Sequence, residues 1–270
     1  RATGMWQSWF LLGAIAGPAI GGPLTDISLR APFFVYAATL AVAGGIGMLF
    51  LTHTPLHERE KAAAGPAPTT LPQALRVSGF RAALTCNLGN GWALFGVRSS
   101  LLPLFVVEGI GASATWVGIG FFVSAAVQGA ALTYVGGLSD RVGRRSSMIA
   151  GATLSAVSMG ALAVSNSLAV YVVAMAVFGL GAALMSVAPS AAVGDVVGAR
   201  GGTVVALFQM SADLGAVVGP LVAGWLADDY SFGAAFGVTA GVLASGALMS
   251  VLSTETQHRK DRPVTQPAPD

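Results

Sequence analysis

The chain has 270 residues, 54% hydrophobic and 10% charged, with a formal net charge of +2 and a mean hydropathy of +0.72. A water-soluble domain carries about 25% charged residues, so this composition excludes an ordinary soluble globule and points to a bilayer. The single cysteine, Cys86, leaves no intrachain disulfide to form and reads as a small packing residue.

Apolar residues gather in eight blocks of roughly 20, the length that crosses a hydrocarbon core as a helix. The first two, at 5–25 and 33–51, precede a stretch from His53 to Leu75 whose Pro, Ala, Thr and charge content reads as a flexible linker. Spans at 82–107 and 115–135 lead into a short polar loop, Gly136-Gly137-Leu138-Ser139-Asp140-Arg141-Val142-Gly143-Arg144-Arg145. Spans at 147–165, 168–190, 203–227 and 232–252 come next. The polar, Pro-containing tail from Thr254 to Asp270 reads as disordered. The chain thus divides into two spans at 1–52, a linker at 53–78, six spans at 79–253 and a tail at 254–270. The 36 glycines lie largely inside the spans, where small residues let membrane helices approach closely. Barrel strands, about ten residues long and alternating in polarity, do not fit these blocks.

Charge placement gives an expected orientation. Threading eight spans from a cytoplasmic start puts 12 of the 14 Lys and Arg on the inner side, with Arg30 outside and Arg98 within a span. By the positive-inside rule, both ends of the chain are expected in the cytoplasm of a multi-pass cell-membrane protein. Asp26, Glu108, Asp228 and Asp229 fall on the outer side. Basic charge here reports topology, and no nucleic-acid partner is implied.

An internal repeat is visible. Gly13-x-x-x-Gly17-Pro18-x-x-x-Gly22 recurs as Gly215-x-x-x-Gly219-Pro220-x-x-x-Gly224, and the same offset of 202 aligns Gln7 with Gln209, Asp26 with Asp228 and Phe34 with Phe236. The glycines fall on one helix face and leave a groove, while Pro18 removes a backbone hydrogen bond and kinks the helix.

The polar loop has the pattern G-x-L-[small]-D-R-x-G-R-[RK], which resembles the cytoplasmic-loop signature of the major facilitator superfamily of secondary transporters. The first copy of the repeat, with Gly21 before Gly22, resembles the antiporter signature of the drug:proton branch of that superfamily. These resemblances imply an all-α integral membrane protein with the two-bundle transporter fold, built as two six-helix halves. Spans one and two match spans seven and eight, so the third to sixth spans lack counterparts in the first half. The chain accordingly reads as a fragment covering helices five to twelve; the alternative is an eight-helix protein whose partner supplies the missing helices.

The function implied by the resemblance is proton-coupled efflux, by antiport and alternating access, of a small, drug-like molecule. Its partners would be that substrate, protons and the lipid bilayer. A proton-linked metabolite importer shares the fold and the loop, and a non-transporting membrane sensor or scaffold would bind ligand without flux. No cofactor and no metal are implied. His53, His57 and His258 all lie in the linker or tail, and no phosphate loop of the G-x-x-x-x-G-K-[ST] type occurs, so enzyme and ATP-driven readings lack residues to carry them.

The setting of each polar residue marks the candidate sites. In the loop, Gly136 permits tight approach at a helix end and Gly143 permits the turn. Asp140 can pair with Arg141, Arg144 or Arg145 and face a helix N-terminus. The resemblance implies that this loop latches the inner side between states, with Asp140 near residues 3–5. Gly13, Gly17, Pro18, Gly21 and Gly22 form the antiporter-type motif. Only Arg98 and Asp213 are ionisable residues well inside spans, where such groups are costly and mark a pathway or an orienting ion pair. Their distances from the inner helix ends, about 16 and about 10 residues, separate them in depth by about 9 Å, which makes direct pairing marginal. Gln209, Asn87, Asn90 and Gln128 either line the cavity or bond helices together. Trp92 is deep enough for substrate or packing, whereas Trp6, Trp9, Trp116 and Trp225 sit near span ends as interfacial anchors.

Overall fold

The structure, a computed structural model, describes residues 28, 30–51, 69–197 and 201–256. The chain divides into two compact units between Gly65 and Pro66. The first contributes one described helix, α1 (Ala31–Leu51), matching the expected span at 33–51. The expected span at 5–25, with Gly13, Gly17, Pro18, Gly21 and Gly22, lies outside the described residues.

The second unit opens with a short helix, α2 (Leu71–Arg76). Six helices of 20 to 32 residues come after it, each long and apolar enough to cross a membrane: α3 (Ser78–Gly109), α4 (Ala114–Val142), α5 (Arg144–Val164), α6 (Leu168–Val197), α7 (Gly202–Asp229) and α8 (Phe232–Val251). Among the described residues there is no strand. All six expected spans after the linker are present, most of them longer than the apolar block alone, because helical hydrogen bonding continues into the polar flanks.

Three expectations need correction. The linker does not run unbroken to residue 78: Leu71–Arg76 is helical, with Thr70 N–H donating to Gln73 Oε1 at 2.9 Å as in a capping box. The signature segment is not a loop. Gly136–Val142 continues α4 past two glycines, and just before them Val135 packs on Ala183 and Leu184 of α6. Nor is the tail disordered from its start, since Thr254 and Glu255 are hydrogen-bonded across the end of the bundle.

Two large apolar clusters fill the six-helix unit, beside the small one at Val135, Ala183 and Leu184. At the end bearing the α3–α4, α5–α6 and α7–α8 turns, Phe105 stands edge-on to Phe232 and Phe236, beside buried Tyr171 and Phe178. At the opposite, basic end, Phe80, Cys86, Met148, Met185 and Phe208 pack together. Cys86 is a packing residue here, its Sγ 3.3 Å from Ser250 Oγ. Trp116 packs against the first cluster, and exposed Trp225 stands edge-on to Tyr230 at the last turn of α7.

Candidate functional site

The basic end holds the signature residues. Gly143 ends α4 with φ +102° and ψ 154°, a region that a residue with a Cβ enters only under strain. The chain reverses at this one residue, and Arg144 begins α5. Arg144 Nη1 pairs with Asp140 of α4 at 2.5 Å, and Nε pairs with Asp195 of α6 at 3.3 Å. Nη1 also donates to buried Ser139 Oγ at 3.2 Å. An exposed ion pair contributes little. The Arg144 side chain, however, is only 13% exposed and spans two acids from two helices, whereas Asp140 is 61% exposed. Its planar guanidinium suits such forked, charge-assisted bonding.

Arg145 turns the other way. It donates to the Ser250 and Val251 carbonyls, at 3.2 and 2.6 Å, and so satisfies last-turn acceptors of α8. Arg141 lies exposed on the last turn of α4. The expected close approach at Gly136 is not found: a Cβ there would meet no described atom, because this face of α4 is open. The α5 N-terminus faces Glu255, not Asp140. Residues 3–5, the expected neighbours of Asp140, lie outside the described residues. Asp195 and Glu255 were missed by sequence reasoning. The available signal was that both are acids at the inner ends of their spans, the side on which the chain's arginines gather.

The second constellation lies within the bundle. Residues Gly91–Val97 of α3 are π-helical. A Cβ on Gly91 would fall on the Ala212 carbonyl, one on Gly215 on the Leu88 carbonyl, and one on Gly219 within 2.9 Å of the Trp92 carbonyl. Pro220 closes on Gly96, its Cδ 2.9 Å from where a Cβ would stand. The second copy of the repeat is therefore the surface that seats α7 against the π-helical turn, apart from Gly224, which faces open space. A π turn adds a residue to the helical circuit and rotates the side chains beyond it to a new direction. Here the next residue is Arg98.

Arg98 reaches α4. Its Nη2 donates to the Phe121 carbonyl at 3.3 Å, and its guanidinium lies 4.8 Å from the centre of the Phe121 ring. Tyr171 of α6 packs on the same stretch of α4. Tyr171 in turn donates to the Val117 carbonyl at 3.4 Å and occupies the space left by Gly120. Arg98 Nε is buried without a hydrogen-bond partner among the described residues.

Arg98 and Asp213 are not brought together: the Arg98 guanidinium turns to α4 and the Phe121 carbonyl. Among the described residues, Asp213 and Gln209 lie on the exposed face of α7. Gln128 is half-buried, and Asn90 is buried. Asn87 is an interhelical tie, donating to the Phe208 carbonyl at 2.6 Å and Ser211 Oγ at 3.3 Å. Trp92 is also a packing residue, with Nε1 donating to Thr239 Oγ1 at 3.1 Å.

Six apolar helices packed in one unit, with a charged turn at one end, define a multi-pass membrane protein. A model of the Major Facilitator Superfamily matches residues 84–269, and the chain belongs to that superfamily. The multidrug resistance protein MdtG of Serratia proteamaculans (strain 568) is 29% identical over 182 residues, covering 66% of this chain and 44% of the relative. MdtG of Proteus mirabilis (strain HI4320) is 26% identical over 267 residues, covering 96% of this chain and 65% of the relative. The chain thus spans roughly half to two thirds of the length of these relatives. A crystal structure of the peptide transporter POT in complex with sulfate superimposes with a TM-score of 0.57 over 65% of this chain and 37% of that one, at 24% identity; the likeness is one of fold.

Proposed function

We propose that the chain forms part of a proton-coupled efflux transporter that exchanges a small, drug-like molecule for protons across the cell membrane. The observation that carries this reading is Arg144, which joins Asp140 and Asp195 from two helices at the basic end of the unit. Such a charge junction makes and breaks as a unit, which suits the inner latch of an alternating-access cycle. The names of the MdtG relatives support a drug-like substrate. On this reading the basic end faces the cytoplasm, as do both ends of the chain.

Arg98 then holds an anionic or strongly polar group of the substrate, since a buried guanidinium with an unsatisfied Nε is costly in a membrane. Asp213, on the open face of α7 with Gln209 nearby, loads and releases the proton. Asn90 and Gln128 contribute polar contacts to the pathway. The Gly13 to Gly22 motif, through its resemblance to the antiporter signature, favours exchange for protons over import.

The test is probe flux under an imposed pH gradient in inverted vesicles, with ethidium as a cationic probe and carboxyfluorescein as an anionic one. Uptake driven by internal acidity is expected, whereas flux in the opposite sense would favour a proton-linked importer. Asp140→Asn is expected to slow transport with membrane insertion intact; wild-type rates would end the latch role. Asp213→Asn is expected to uncouple flux from the gradient, and retained coupling would remove Asp213 as the proton carrier.

A further inference from the structure

We infer that Glu255 is a positioning residue for the inner switch: Ser253–Thr256 form a strap across the basic end that holds the first turn of α5, and with it Arg144, in place. The inference rests on the switch role proposed above for Arg144. α5 has no side-chain cap of its own, because its N-cap residue is Gly143. The cap comes from 111 positions away: Glu255 Oε1 accepts from Arg144 N–H at 3.0 Å, and Oε2 accepts from Arg145 N–H at 3.2 Å. A carboxylate at this end of a helix meets both unsatisfied N–H donors and the positive end of the helix dipole.

Two further anchors fix the strap. Thr254 N–H donates to Ser78 Oγ at 3.1 Å, and the two hydroxyls lie 3.0 Å apart. Gly79 leaves the space that the Thr256 methyl fills. Ser253, buried, donates to the Ser250 carbonyl at 2.8 Å. In return, Arg145 caps the C-terminus of α8, so α5 and α8 close each other's ends. Gly143 is required for its positive φ, and a Cβ there would also displace the Glu255 carboxylate. Thr254, Glu255 and Thr256 carry no large apolar side chain, so polar bonds hold this part of the strap. Without Glu255 the first turn of α5 frays, and Arg144 loses its aim at Asp140 and Asp195.

Ser78→Cys with Thr254→Cys in the full-length chain reports the strap directly, because its closed form brings these positions into contact, while Cys86 is buried. Glu255→Ala is expected to slow oxidative crosslinking about fivefold, the usual worth of a lost helix cap. Glu255→Gln, which keeps one acceptor oxygen, should recover most of that loss. Unchanged crosslinking in Glu255→Ala overturns the strap. Transport of whichever probe the wild-type chain moves then separates positioning from bulk stability. Glu255→Ala should lower the maximal rate at constant KM, and adding Asp195→Asn should not deepen the loss, because both act through Arg144. Independent, multiplying losses overturn the positioning role. A wild-type chain that moves neither probe counts against the transporter reading, and crosslinking alone then decides the strap.

Discussion

Arg98 is a costly side chain to keep in the six-helix unit. Its Nη2 has one carbonyl partner on α4 and its Nε has none among the described residues. Taking a charged group out of water without full compensation is expensive, and replacing it with an apolar residue of similar length is commonly neutral or stabilising by about 1–4 kcal/mol. Arg98→Met is therefore expected to leave thermal stability unchanged or raised while removing transport; a destabilised variant would make Arg98 a structural tie. Arg98→Lys should not rescue, because an ammonium cannot both lie on the Phe121 ring and offer a planar fork. That Arg98 and Asp213 are exceptional was legible in the sequence, since each is an ionisable residue inside an apolar block. Their directions were not. A helix's periodicity says which residues share a face, not which neighbour that face meets, and so the place of Asp213 on the open face of α7 was not legible.

Helix ends and turns decide how the charges meet. Gly143 compresses the expected ten-residue loop to a single non-helical residue, because only glycine takes φ +102° with ψ 154° without strain. Gly143→Ala is expected to destabilise the unit by about 1–3 kcal/mol, from backbone strain alone; unfolding in graded denaturant would measure it, and a neutral result would mean that the turn relaxes to another geometry. In the middle of α3, the π-helical turn at Gly91–Val97 is seated by Gly215, Gly219 and Pro220. The Gly-Pro motif itself was plain in the sequence as a packing groove. The π turn opposite it was not, because no local pattern separates a π turn from an α turn and tertiary contact selects the wider circuit.

For the unit as a membrane-embedded body, charge asymmetry predicts a side. Arg76, Arg81, Arg141, Arg144 and Arg145 share the end with the α4–α5 turn, while Glu108, Asp228 and Asp229 lie towards the other. Val142→Cys, exposed beside that turn, is expected to resist a membrane-impermeant maleimide added to intact cells, whereas Asn166→Cys in the α5–α6 turn should react. The reverse pattern would invert the proposed topology. Composition, span length and the signature pattern were enough for the membrane class, the six spans and the superfamily. Lipid tests each segment separately for length and polarity, so those properties are local. The partners of the polar groups are not local. Arg144 meets Asp195 across 51 positions and Glu255 across 111, Arg98 meets a backbone carbonyl rather than Asp213, and the first residues of the tail close the bundle. Those pairings depend on which helices lie side by side and how far each is rotated, and that is settled by close packing of small residues between helices far apart in the chain.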